Sequence, residues 1–344
     1  MSIVQIARAE IRALIPYDSV RQEWPTIRLN ANESASANGG LRRYPEFRPG
    51  KLAARLAHHF GVAPGNLLVT RGSSEGIDLL LRAFCRAGVD NIVISPPTFE
   101  MYRVYADIQG AKTITVPLSP GDNFALNAER LLDGCTPQSK LIFVCSPNNP
   151  SGAPAAPAAI EKLLESRRDR SIVVVDEAYI EFSAQASCVS WLPRFENLVI
   201  LRTLSKAQGL AGARCGAVIG SEQVIALLDG VLSPYAMATP VVERVLDTLT
   251  TQGLRKSAAS IAATIAERQR VTEALGHLGI VERCWPSDAN FLLVRFVDMD
   301  EARARLRAAR ILIREFPADA GLDNCARITI GAAYENDELL KALS

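Results

Sequence analysis

The sequence has three histidines, at 58, 59 and 277, and no H-E-x-x-H. A histidine-built metal centre is therefore not expected. None of its seven cysteines (85, 135, 145, 188, 215, 284, 325) forms C-x-x-C, which argues against a zinc ribbon or a paired redox motif. An odd, scattered set predicts reduced thiols and a cytoplasmic protein. Neither sign of charge is in excess, since 38 Lys and Arg against 37 Asp and Glu leave +1. Without a basic field, no nucleic-acid or membrane partner is expected. No apolar run approaches membrane-spanning length, and the N-terminus M-S-I-V-Q-I-A-R-A-E lacks the apolar core of a signal peptide. The P-loop pattern G-x-x-x-x-G-K-[ST] is missing too, which argues against a nucleotide triphosphatase. No internal repeat is visible.

What is present is an ordinary globular composition, 48% apolar and 22% charged, over 344 residues. That length allows two domains and a large core. Val- and Ile-rich runs occur at 67–70, 91–95, 113–116, 141–145, 172–176, 198–202 and 215–219. Helical patterns at 75–87, 99–109, 157–168 and 221–231 separate several of them. Continuous apolar strands alternating with helices predict an α/β fold, a mostly parallel seven-stranded sheet covered by helices. A long helical pattern at 255–277 precedes a change of texture, with strands at 290–296 and 326–330 around an Arg-rich helix at 300–310. A small α+β domain is expected there. The expected division is an arm over 1–28, a small domain from 29–48 and 251–344, and a large domain over 49–250.

In open parallel sheets, ligands sit beyond the carboxyl ends of the strands. Asn149 in S-P-N-N-P-S-G, Asp176 in V-V-V-D-E-A-Y and Lys206 in R-T-L-S-K all follow such ends. With the phenol of Tyr179 and the guanidinium of Arg214, they form a set suited to pyridoxal phosphate. A lysine can bond the aldehyde, a carboxylate can hold the ring nitrogen, donors can meet the ring oxygen, and cations the phosphate. Each residue also has a plainer reading. Asp176 could cap a helix or pair with a cation, although a carboxylate on an apolar strand is costly alone. Tyr179 could be a core tyrosine, Asn149 a turn residue before proline, and Lys206 a surface lysine. Thr203 and Ser205, near Lys206 and Arg214, make a plausible phosphate cradle. Ser73 and Ser74 in T-R-G-S-S-E-G open a helix, either as ordinary caps or as a phosphate site. Phe99 either stacks on a cofactor ring or fills core. Arg327, inside the apolar strand C-A-R-I-T-I-G, needs an anion, whether a structural carboxylate or a substrate's. Arg314 is a weaker candidate, with a structural ion pair the leading reading.

Together S-P-N-N-P-S-G, D-E-A-Y and S-K with Arg214 resemble the fold-type I pyridoxal-phosphate aminotransferases. L-N-A-N-E at 29–33, R-Y-P-E at 43–46, D-E-A-Y-I-E-F and L-R-T-L-S-K-A-x-x-L-A-G-x-R-C-G are similar to the histidinol-phosphate aminotransferases within that family. The resemblance spans nearly the whole chain. It implies pyridoxal 5'-phosphate as cofactor, with Lys206 its covalent anchor, Asp176 on its ring nitrogen, and Asn149 and Tyr179 on its ring oxygen. Ser73, Ser74, Ser205 and Arg214 would hold its phosphate, joined by Tyr44 across a homodimer interface. Arg327 would bind substrate, with Tyr17 and Asn32 on the substrate side. The implied reaction moves an amino group between L-glutamate and a phosphorylated imidazole ketone in histidine biosynthesis. An aromatic aminotransferase or a phospho-amino-acid decarboxylase is the alternative. The chain departs from the family pattern at Phe99, where tyrosine is common, at Ser74, where an acid is common, and at Gln208-Gly209.

Overall fold

The computed structural model describes residues 2–15, 17, 27–36, 40–316 and 321–344. Its larger sheet has seven strands: β1 (Leu67–Thr70), β2 (Asn91–Ile94), β3 (Lys112–Thr115), β4 (Ser139–Cys145), β5 (Ile172–Asp176), β6 (Leu198–Thr203) and β7 (Gly216–Gly220). Their spatial order is β1-β7-β6-β5-β4-β2-β3. Strands β3, β2, β4, β5 and β6 run parallel, and β7 runs antiparallel to both β6 and β1.

Alternation along the strands divides the core in two, because successive side chains leave a strand on opposite faces. Val173 and Val175 of β5 join one apolar cluster, with Leu163 and Ile142. Ile172 and Val174 join the other, with Leu80 and Phe84. Both faces are therefore covered, which explains why these strands read as unbroken apolar runs. Covering helices supply apolar stripes at helical spacing. Pro157–Ser166 buries Ile160, Leu163 and Leu164, and its proline sits in the first turn, where no N–H partner is needed. Full burial of each such side chain contributes roughly 1.5–3 kcal/mol.

A second sheet contains β8 (Val281–Cys284), β9 (Phe291–Phe296), β10 (Arg314–Glu315) and β11 (Cys325–Thr329), antiparallel throughout in the order β10-β11-β9-β8. Strands β8 and β10 have no counterpart in the sequence reading. The first is only half-buried and carries two charges, and the second is two residues long, so neither leaves an apolar pattern. Alternation again sets the sidedness. Leu292, Val294, Ala326 and Ile328 pack with Leu306, Leu339 and Val271 of the helices Met299–Ala308, Ala333–Leu343 and Thr251–Gly276. Phe291 and Leu293 instead enter clusters with Tyr179 and Phe124 of the larger layer. Arg327 pairs in register with Leu293, so it shares that inward side. The segment 29–48 puts no strand into either sheet among the described residues, and its last residue, Arg48, bonds Asp229 in the helix Glu222–Val231.

Candidate active site

Parallel strands end together at one edge of the larger sheet, and the residues just past those ends surround a cavity of about 260 Å³. Ser73, Ser74, Phe99, Asn149, Asp176, Tyr179, Thr203, Ser205, Lys206, Arg214 and Arg327 line it. These positions span more than half the chain. They meet because β4, β5 and β6 are neighbours and each delivers its next loop to the same edge.

Asp176 closes β5 and is 2% exposed. Its Oδ2 accepts from the phenol of Tyr102 at 2.8 Å, and its Oδ1 accepts from the Ala178 N–H at 3.2 Å. Burial pushes its carboxyl up to about 6, against the pull of those two donors and the Lys206 charge. Neither donor is a cation, the short helix that follows takes Tyr179 and not Asp176 as its N-cap, and both carboxylate oxygens keep acceptor capacity.

Lys206 stands in the open cavity with Nζ 5.5 Å from the centre of the Tyr179 ring. The surrounding protein still desolvates the amine, and this lowers its pKa first; the charges of Arg327 and Arg214 lower it further. Tyr179 is 6% exposed and meets Phe291 edge-on at 5.1 Å. Asn149 accepts from Arg327 through Oδ1. A guanidinium can only donate, so this contact determines which end of the amide faces it and leaves the Nδ2 hydrogens for a ligand oxygen.

At the other end lies a concentration of donors. Ser205 N–H donates to Thr203 Oγ1 at 3.2 Å, and Arg214 Nη1 donates to Ser205 Oγ at 3.4 Å. The helix Ser73–Phe84 begins there, with Gly72 as its N-cap at φ 79, ψ 170. That backbone region is almost exclusive to glycine, and an added Cβ would lie 3.0 Å from Arg214 Nη2. Twelve residues of helix therefore aim free N–H groups toward the cavity beside a guanidinium, which suits a phosphate.

A carboxylate at one end, phosphate donors at the other, an amine between them and Phe99 on the wall fit pyridoxal phosphate. Tyr17, Asn32 and Tyr44 do not line this cavity. Tyr44 is exposed and stacks on Tyr235 at 4.9 Å, Tyr17 lies 6.3 Å from Phe47, and Asn32 is an exposed left-handed residue at φ 55.

Two groups escaped the sequence reading. Tyr102 sits three residues after Phe99 in P-P-T-F-E-M-Y, and that i, i+3 spacing was the available signal. Arg202, 6% exposed, donates to Glu177 at 3.3 Å and Glu181 at 2.8 Å and lies 4.6 Å over Phe60. It ties both ends of the Tyr179 turn to the strand that leads into Lys206. Gln208, one of the departures, is buried against His59 at 3.4 Å.

A mostly parallel sheet with its site at the strand ends, next to a small antiparallel sheet that contributes an arginine, defines a fold-type I transferase. The chain belongs to the family "Aminotransferase class I and II", whose model matches residues 15–344. That family depends on pyridoxal phosphate. The chain is 42% identical over 353 residues to a histidinol-phosphate aminotransferase of Aeromonas hydrophila, covering 100% of this chain and 98% of the relative. It is 40% identical over 351 residues to one of Salmonella choleraesuis, covering 100% and 97%. A Sinorhizobium meliloti histidinol-phosphate aminotransferase, solved with pyridoxal-5'-phosphate, superposes with a TM-score of 0.76 at 26% identity, covering 89% of this chain and 83% of that one. No helix among the described residues is long and apolar enough to cross a membrane, and none of the seven cysteines is paired.

Proposed function

We propose that this chain moves an amino group between L-glutamate/2-oxoglutarate and imidazole acetol phosphate/L-histidinol phosphate, as a homodimer holding pyridoxal 5'-phosphate. One observation carries the phosphorylated substrate. Arg314 and Arg327 are direct partners across β10 and β11, on one face of the small sheet. Burial lowers the Arg327 pKa first and the Arg314 charge lowers it further, so the two guanidiniums repel. Glu315, beside Arg314, is engaged by Arg303. Like charges placed opposite each other destabilise a sheet unless an anion bridges them. Arg327 also faces the cofactor cavity, so a dianionic phosphate or an α-carboxylate can occupy this position in turn.

Asp176 would hold the ring nitrogen in its protonated form, Asn149 Nδ2 and Tyr179 the ring oxygen, and Ser73, Ser74, Thr203, Ser205 and Arg214 the phosphate. Phe99 would cover the ring, without the hydrogen bond a tyrosine would add. When bound, pyridoxal phosphate supplies an electron sink beside the reacting carbon. Lys206 would anchor it, and its freed Nζ would take the donor's α-proton and return it on the far side of the amino nitrogen. Desolvation favours the neutral amine that this step requires. Arg327 fixes the carboxylate so that the α-carbon faces Lys206. Both substrates use the same groups in turn, which gives ping-pong kinetics.

The segment before the large domain supports the dimer. Ile15, Tyr17, Ile27, Leu29, Leu41 and Tyr44 are all exposed. A cavity of about 440 Å³, lined by Phe47, Leu67, Val69, Ile225 and Met237, opens near Arg48. A second copy covering these surfaces would bring Tyr44 to the partner's cofactor phosphate, with Tyr17 and Asn32 near its substrate.

A panel of amino donors with the holoenzyme tests the reading. Histidinol phosphate should convert the cofactor to its amine form at least tenfold more efficiently than phenylalanine or aspartate. Preference for phenylalanine, or release of carbon dioxide from a phospho-amino acid, would favour the alternatives. A monomer by sedimentation at micromolar concentration would sink the dimer.

A further inference from the structure

Tyr102 is a fully buried side chain that the chemistry above does not use. It lies in the helix Met101–Gln109, on the side away from solvent, and is 0% exposed. Its ring stacks on Phe143 of β4, centroids 4.6 Å apart and planes 14° apart, and Phe99 meets it edge-on at 5.6 Å. This stacking constrains the ring on two sides and directs the hydroxyl at Asp176 Oδ2, 2.8 Å away.

We propose that Tyr102 is a positioning residue that keeps Asp176 ionised and turned toward the cofactor's ring nitrogen. The proposal rests on the cofactor reading given above. A phenol that donates to one carboxylate oxygen favours the charged acid over the neutral one. It also stops the carboxylate from rotating, because the Ala178 N–H holds the other oxygen at 3.2 Å. The remaining lone pair on each oxygen is then available for the ring N–H. The proton stays on the phenol. Burial raises the Tyr102 pKa well above its ordinary value, and the Asp176 charge raises it further.

The other groups facing Asp176 do not replace this donor. Cys145, on β4, is pushed up to about 12 by burial and stays a neutral thiol. Tyr179, in the loop after β5, is likewise raised by burial and neutral. Glu177, the next residue, opposes ionisation of Asp176, whereas Lys206 favours it. Tyr102 is the larger of the two hydrogen-bonding contributions that hold the carboxyl down.

The test is Tyr102→Phe, which keeps the stacked ring and removes only the hydroxyl. Cofactor affinity of the apoenzyme is measured from pH 4.5 to 8.5 by equilibrium titration, independent of turnover. In the wild type, affinity should fall as Asp176 takes up its proton. In Tyr102→Phe that acid limb should move up by about one pH unit, which is a tenfold loss of affinity within the limb. The limb should be absent from Asp176→Asn, and adding Tyr102→Phe to Asp176→Asn should shift nothing further. If Tyr102→Phe does not fold, 3-fluorotyrosine placed at 102, a stronger donor, should move the limb the other way. An unshifted limb, or an equal loss of affinity at every pH, would overturn the proposal. Cofactor affinity unchanged in Lys206→Ala, with a normal Tyr102 effect on the Asp176 limb, would overturn only the covalent anchor.

Discussion

Replacing Arg202 by methionine strands a buried carboxylate. Glu177 is 1% exposed and receives Arg202, Ser187 Oγ at 2.6 Å and the Cys188 N–H at 2.7 Å. The two neutral donors remain after the substitution and the cation does not. Breaking one side of a buried ion pair typically costs about 3–5 kcal/mol. With an unfolding entropy of about 2.1 cal/mol/K per residue over the 344 residues, that loss moves Tm down by about 4–7 °C. Glu181, at 15% side-chain exposure and with Oε2 buried without a hydrogen-bond partner, loses the same cation and adds to the cost. The cost should also depend on pH. Burial already raises the Glu177 pKa, and Arg202 is the largest influence holding it down. Without Arg202 the folded-state pKa rises further above the unfolded value. The folded variant then binds a proton that the unfolded chain does not, so stability falls as pH rises through that window and recovers at lower pH. Calorimetry of the apoprotein at pH 5 and pH 8, with Glu177→Gln and the double variant closing a cycle, checks this. The double variant should regain at least half of the loss, and its pH dependence should flatten. If Arg202→Met is as stable as wild type, or if the double variant is worse than the sum of the singles, the argument about the stranded charge is wrong.

Three further outcomes are expected. Arg327→Ala removes a charge-assisted contact worth about 1.5–3 kcal/mol, so kcat/KM should drop about 10- to 150-fold for both substrates, and steady-state kinetics showing no change would refute the substrate role. Gly72→Ala forces an L-residue into φ 79, ψ 170 and pushes a methyl at Arg214, so it should cost about 1–3 kcal/mol and weaken cofactor binding, read by denaturant midpoint and apoenzyme titration. Asp176, pushed up to about 6 from 3.8, should lower apoprotein stability as pH rises from about 4 to 6, by an amount on the order of 3 kcal/mol, and Asp176→Asn should abolish that slope in urea midpoints.

The strand and helix alternation was legible because burial leaves a periodic mark on the chain. The runs at 67–70 and 172–176 coincide with β1 and β5, since both faces of this sheet are dry. Lys206, Asp176, Asn149 and Arg214 could be singled out because ionisable or amide groups next to apolar strands need a reason. Strand β8 could not be read, because an exposed V-E-R-C has no apolar repeat. Tyr102 could not be given its part either, because a tyrosine in an apolar helix looks the same whether its hydroxyl meets a carbonyl or a catalytic carboxylate.

The amino-acid sequence alone determined which segments bury themselves, which loops follow strand ends, and which side chains in those loops can bond an aldehyde, a ring nitrogen and a phosphate. These are local properties, set by side-chain chemistry and by the two-residue and 3.6-residue periods of the backbone. Tertiary structure alone decided that Tyr102 donates to Asp176, that Arg202 staples the Tyr179 turn, and that Arg314 and Arg327 confront each other across two strands. These contacts join residues from 13 to 74 positions apart, so they depend on strand order, register and packing depth, which only the folded chain specifies.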